Sequence, residues 1–463
     1  MTCFRRLPPG IPCPGHALAA LCLALPGCCW LGEGVQAPAD ITRWQTTTPP
    51  TKLLREKASS YQVWIEEKHL LPEGVLRYQR RWDRPVDASY GDLADGPFHT
   101  GIYLASQSFR YAATRDPAAL EQVKRALNGL RLLLEVTGVR GLLSRYVSPA
   151  GTIPTTEDMD GNPSSWRPST ALPRYQWRGD VSKDQYSGFI HGLGVALALV
   201  EDPGVRQTVA DLSTAAADHL MLHHMQLVDA DGKPTTHGNL AGQIFGIPIG
   251  VNALIALAIA KVAASSSGEE RYRDFYRRLV AQDYYGSAYW SHFTVLGVSN
   301  RVNDNMSYLA TMPLLLLERN DDLLEDLGDG ESRTWGAVSQ DHNAFFSFVH
   351  ASRCKDARGR QEGIAAGREA LLEFPEDKIE WPVDLTREGF DFPRNWLNTR
   401  KCVPRTTRGV PLYLRPRASS TWVSDPFRLV GNLTRQGQHE TSGADYLLAY
   451  WMGRHFGYVS PEE

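Results

Sequence analysis

Six stretches of this chain are apolar on nearly every face, and they limit what it can fold into more than any other feature. They are FHTGIYLASQSFRYA (98–112), SKDQYSGFIHGLGVALALVE (182–201), GIPIGVNALIALAIAKVAA (246–264), NDNMSYLATMPLLLLE (303–318), HNAFFSFVHA (342–351) and SGADYLLAYWMGRHF (442–456). A helix that is greasy all round has to be buried, either in a large core or in a membrane. The run at 246–264 is the one place where a membrane span could be proposed, but Pro248, Asn252 and Lys261 interrupt it, so a buried helix is the better reading there.

Amphipathic stretches alternate with these six. Their apolar stripes are Val123, Leu127, Leu130 and Leu134; Val205, Val209, Leu212, Ala216 and Leu220; and Tyr272, Phe275, Tyr276 and Leu279. Residues 53–70, 321–335 and 360–374 are weaker examples. One-sided stripes belong to helices with one buried and one wet face. Six helices of each kind in alternation predict an all-α chain, an inner ring sheathed by an outer ring. Gly188 and Gly192, four residues apart, predict a close helix–helix approach. The pattern resembles the six-hairpin glycosidase superfamily, and the resemblance implies an (α/α)6 barrel across residues 51–463 as a single domain. The DDxxD motif of terpene cyclases and the Cys-His zinc signature of lanthionine cyclases, both carried by related toroids, are absent.

Connection lengths break the symmetry of such a ring. Apolar-to-amphipathic links are short, whereas the reverse links span about 71–97, 138–183, 225–242, 285–302 and 375–440, with only 336–341 brief. Long loops in a compact domain usually carry function. All of these lead to the N-termini of the inner helices, so one rim of the barrel is expected to hold the site. Unpaired N–H groups and positive helix-end charge would meet there.

Polar residues collect at these helix starts. Glycoside hydrolysis needs two carboxyl groups flanking the scissile bond, and the candidates are Asp184, Asp95, Asp304, Asp341 and Glu440. Asp184 ranks first and Asp95 is preferred as its partner. Expected substrate-binding residues are Gln185, Tyr186, His99, Asn303, Asn305, His342, Asn343, Arg394 and His439, with Trp177, Trp290, Trp381 and Trp396 as flat platforms for sugar rings. Trp166 and Trp422 also fall in the long connections. Arg167, Arg174, Arg178 and Arg428 offer forks for acidic sugars. The bland account of any one Asp or Asn is an N-cap, and of any one Trp a loop plug. His191 reads as a bonded core imidazole, and Asp229-Ala230-Asp231-Gly232 as a turn.

The N-terminus is a separate object. Arg5 and Arg6 precede a short apolar run ending Leu25-Pro26-Gly27-Cys28, which predicts a signal peptide over 1–27 and resembles a lipobox with Cys28 as the lipid attachment site. Residues 28–50 then form a linker. Export to a bacterial cell envelope, lipid-anchored or secreted, is expected. The formal net charge of −3 gives no basic surface for nucleic acid. No cofactor or metal is expected, since no CxxC or HExxH pattern occurs. The function expected is a glycoside hydrolase on an oligo- or polysaccharide. One alternative is a polysaccharide lyase using Tyr186 or His342 as base; another is a non-catalytic glycan-binding lipoprotein.

Overall fold

The computed structural model describes residues 48–82, 94–153, 165–292, 294–295, 298–386, 409–415, 426–433 and 437–463, with single positions at 44, 46 and 406. Residues 1–28, with the expected leader and Cys28, and Arg394, Trp396 and Trp422 lie outside the described residues.

The inner helices are Gly96–Thr114, Lys183–Leu199, Gly250–Ser267, Arg301–Leu317, Ala344–Arg353 and Ala444–His455. The outer ones are Leu54–Trp64, continued by a π turn over Ile65–His69, then Pro117–Glu135, Pro203–Leu222, Glu270–Ala281, Asp321–Val338 and Ala357–Glu373. Each inner helix packs on the outer helix that follows it, and the last inner helix packs on Leu54–Trp64. Inner helices meet in sequence order around the ring, and the first touches the last. The architecture is an (α/α)6 barrel. The third inner helix starts at Gly250 rather than 246, because Ile247–Pro248 pairs with Gln243–Ile244 in a hairpin. A short extra helix, Tyr284–Ala288, lies in what reads as loop.

Two devices hold the ring shut. The first and second inner helices approach so closely that a Cβ on Gly188 would lie 2.4 Å from the Phe98 carbonyl oxygen, and one on Gly192 2.5 Å from that of Gly101. Glycine is required at this crossing. Among the outer helices, buried Lys57 gives its ammonium to the carbonyl oxygens of Leu372 at 2.7 Å and Phe374 at 2.8 Å, capping the last outer helix from the first. Burial lowers that ammonium to about 8, while its carbonyl partners stand where a helix C-terminus favours a cation.

The barrel axis is packed. His191 sets its ring edge against Phe345 across the interior, centroids 5.5 Å apart, and the second inner helix also meets the fourth directly. Gly250–Ser267 is long and apolar enough to cross a membrane, but most of it is buried against other helices of the ring. All strands among the described residues fall in the outer-to-inner connections, as short antiparallel pairs and one three-stranded antiparallel sheet. The elaborated rim is therefore the one at the inner-helix N-termini.

Candidate active site

The start of the second inner helix is built by Ser182 and Gln185. Their Ser-x-x-Gln spacing forms the return half of a capping box: the Ser182 backbone N–H donates to Gln185 Oε1 at 2.7 Å. Ser182 Oγ lies 2.8 Å from the same oxygen and donates to Asp184 Oδ1. With its oxygen held by the cap, Gln185 turns its NH2 group toward the rim. Nε2 donates to Asp95 Oδ1 at 2.6 Å and to Asp184 Oδ2 at 3.1 Å. Two carboxylates from neighbouring inner-helix starts thus meet on one nitrogen.

Asp95 occupies the N-cap position of the first inner helix, yet its side chain makes no cap bond. It instead accepts from Gln185 and from Arg145 Nη2, at 3.3 Å. A backbone bond of 2.9 Å from Gly96 N to Arg145 O ties that arginine to the helix start. Arg145 also donates to the carbonyl oxygen of Asp180 at 3.2 Å, a residue held in the left-handed region at φ 55°. Such strain gathers at functional sites. Burial, and next the neighbouring Asp184, push Asp95 up to about 6 against the pull of Arg145. The environment thus sets a proton donor within reach of a second carboxylate.

Asp304 and Asp341 form a second group around Arg301. Its guanidinium donates to Asp304 Oδ2 at 3.1 Å and from Nη2 to Asp341 Oδ1 at 2.9 Å, with Nε 2.6 Å from Asp341 Oδ2 as an ion pair. His292 Nδ1 lies 2.8 Å from Asp304 Oδ1, and Arg415 donates to the Asp341 backbone oxygen at 2.5 Å. Burial raises Asp341 to about 7, with Arg301 and Arg415 pulling the other way. A fork shared by two buried acids ties connections together. Glu440 stands apart, paired with Arg80 at 2.9 Å beside His69. Asp95 and Asp184 are the pair whose shared partner is a neutral amide.

Among family models none matches this chain, and no curated protein matches it. Solved structures with a similar arrangement include an α-mannanase of glycoside hydrolase family 76 from Bacteroides thetaiotaomicron, 8% identical over 88% of this chain and 96% of that one, TM-score 0.47. A sugar epimerase from a ruminal bacterium is 12% identical over 88% and 98%, TM-score 0.47. An inactive variant of a family 76 α-1,6-mannanase from Salegentibacter sp. HEL1_6, in complex with α-1,6-mannotriose, is 10% identical over 88% and 100%, TM-score 0.43. Likeness at this level concerns helix arrangement and says nothing of a reaction.

The remaining expected residues scatter. Tyr186 is fully buried; its hydroxyl donates to Gly141 O at 2.6 Å and accepts from Leu143 N at 3.2 Å. It anchors the 136–182 connection and does not face a ligand. His99 is buried and stacks on Tyr78 at 3.8 Å. Asn343 is an N-cap, bonded to Phe346 N, while His342 pairs with Glu373 at 3.0 Å. Asn305 donates to Arg301 O at 2.8 Å, and Asn303 accepts from Ser307 through its backbone oxygen. His439 lies in the strand His439–Thr441, opposite Arg81. Trp166, Trp177 and Trp381 are buried, so these rings brace the rim from inside. Arg167 stacks over Trp177 and binds Asp229. Trp290 alone of the described four is well exposed, at 47%. Asp229 and Asp231 accept backbone N–H bonds from Ala230 and Lys233, as turn chemistry predicts. Arg145, Ser182, His292, Arg301 and Arg415 escaped the sequence reading.

Proposed function

We propose that this chain is an exported glycoside hydrolase whose catalytic pair is Asp95 and Asp184. Asp95 donates the proton to the leaving glycosidic oxygen; Asp184 activates water or attacks the sugar. The observation that carries this reading is the pair itself: two acids on adjacent inner-helix starts, bonded to one amide nitrogen. The raised Asp95 holds its proton up to about pH 6, which suits a general acid in mildly acidic solution. The N-termini of the first and second inner helices bring partial positive charge to the pair, favouring hydroxyl-rich or anionic substrates.

The lyase alternative loses one of its two bases. A lyase base must reach the carbon next to a uronate carboxylate; the Tyr186 hydroxyl is spent on Gly141 and Leu143, whereas His342 bonds Glu373 through Nδ1 alone, a pairing that leaves Nε2 as the basic nitrogen. The glycan-binding alternative predicts that Asp184→Asn changes nothing. The deciding experiment incubates the purified protein and its Asp95→Asn and Asp184→Asn variants with neutral and uronate-containing glycans, with product analysis by chromatography. Hydrolysis lost in both variants while ligand is still held supports the reading. For export, the mature N-terminus is expected at Cys28 with an acyl group; mass spectrometry showing an intact leader or an unmodified terminus would reject the anchor.

A further inference from the structure

We propose that Gln185 is a positioning residue: the helix cap aims its amide, the amide holds Asp95 and Asp184 side by side, and it never touches the glycan. The inference rests on reading that pair as catalytic, and it revises the expectation that Gln185 binds substrate.

The chemistry of a primary amide decides its orientation. Its oxygen can only accept and its nitrogen can only donate, with two protons. Rotating the group by half a turn would put NH2 against the Ser182 N–H, donor against donor. The capping bond of 2.7 Å therefore fixes Oε1 inward, and Nε2 meets Asp95 and Asp184. Two protons serve two carboxylates, so the donors are used up. The side chain is also fully buried, which leaves it neither capacity nor access for a sugar hydroxyl.

A neutral bridge differs from a cationic one. Arg301 brings a full positive charge to Asp304 and Asp341, although burial still raises Asp341. Gln185 lets Asp95 and Asp184 lie near each other without adding charge, so their mutual repulsion survives and adds to burial in raising Asp95, against the pull of Arg145. The hydrogen bond from Gln185 tempers that rise.

Gln185→Glu isolates this role, because glutamate preserves the capping oxygen while removing the donor and adding charge. The test follows carboxyl-carbon NMR of aspartate-labelled protein against pH, with Asp95 assigned by its disappearance in Asp95→Asn. The Asp95 midpoint is expected to rise by about one unit or more. Gln185→Met, uncharged and unable to cap, is expected to raise it too while lowering thermal stability. Where a glycan is turned over, kcat should fall about tenfold or more with KM little changed. An unmoved midpoint in both variants, or a raised KM with kcat intact, would overturn the proposal. The titration needs no substrate, so a failed hydrolase reading and a failed positioning role give separate results.

Discussion

His191 donates from Nδ1 to the backbone oxygen of Leu309 at 2.9 Å, across 118 residues of sequence. The partner is available for a reason: Leu309 would ordinarily receive the N–H four residues on, and that residue is Pro313, inside the same helix. Proline has no N–H to give. Gly194, one turn beyond His191, makes room for the Pro313 ring, where a Cβ would come within 2.5 Å. A histidine of the second inner helix is thus the missing donor of the fourth.

His191→Leu should strand that carbonyl and cost about 1–3 kcal/mol. Pro313→Ala restores an N–H at the right place, so the double variant should recover part of the loss. Urea denaturation of the four proteins measures the coupling; strictly additive losses would disprove the link.

Acid should reveal two opposing sets of groups. His191 and His219 are buried neutral, each lowered to about 4, chiefly by burial. Unfolded histidine titrates near 6.5, so the unfolded state binds more protons between about 4 and 6.5, and these residues weaken the fold as pH falls through that window. Asp95 is raised to about 6. It acts oppositely, destabilising the folded state as pH rises from about 4 to 6. Asp95→Asn should therefore raise stability by roughly 1–3 kcal/mol at pH 8 and by nothing at pH 4. Thermal denaturation across that range would show the converging curves, and a constant offset would contradict them.

The helix crossing gives a harsher test. Gly188→Ala places a methyl 2.4 Å from the Phe98 oxygen, and the inner helices must separate to admit it. A loss of about 3 kcal/mol or more is expected by denaturant unfolding. A change below about 0.5 kcal/mol would mean that the crossing is looser than drawn.

At the rim, Phe245 holds a left-handed backbone at φ 50° followed by Gly246 at φ 75°, in a two-residue hairpin turn that favours Asn-Gly. Its side chain is fully exposed. Phe245→Asn should stabilise by about 0.5–1 kcal/mol, read as a higher melting temperature; a lower one would show that the ring has a packing partner.

The six-and-six architecture was legible because an inner helix of a double ring is wet on no face, and composition records that directly. Loop lengths recorded the polarity of the rims. Asp95 and Asp184 were both legible as helix-start acids, since neither position demands a charge for packing. Their pairing was only half visible: consecutive inner helices neighbour each other in a ring, but nothing local showed which acids share a partner. The Ser182-x-x-Gln185 spacing was a readable cap whose other end is the site. Arg145 had no signal, being an irregular-loop arginine among several. Trp177 and Trp381 misled because a buried loop plug and a sugar platform look alike in sequence; both are the former.

The measurement that bears most directly on the site is a pH profile of glycan cleavage by the wild-type protein beside Asp95→Asn and Asp184→Asn. Cleavage should fall away above a midpoint near 6, where Asp95 gives up its proton, and each variant should lose at least about a hundredfold in kcat. Full turnover by either variant, or a wild-type rate flat from pH 5 to 8, would mean that chemistry, if this rim performs any, lies with other residues.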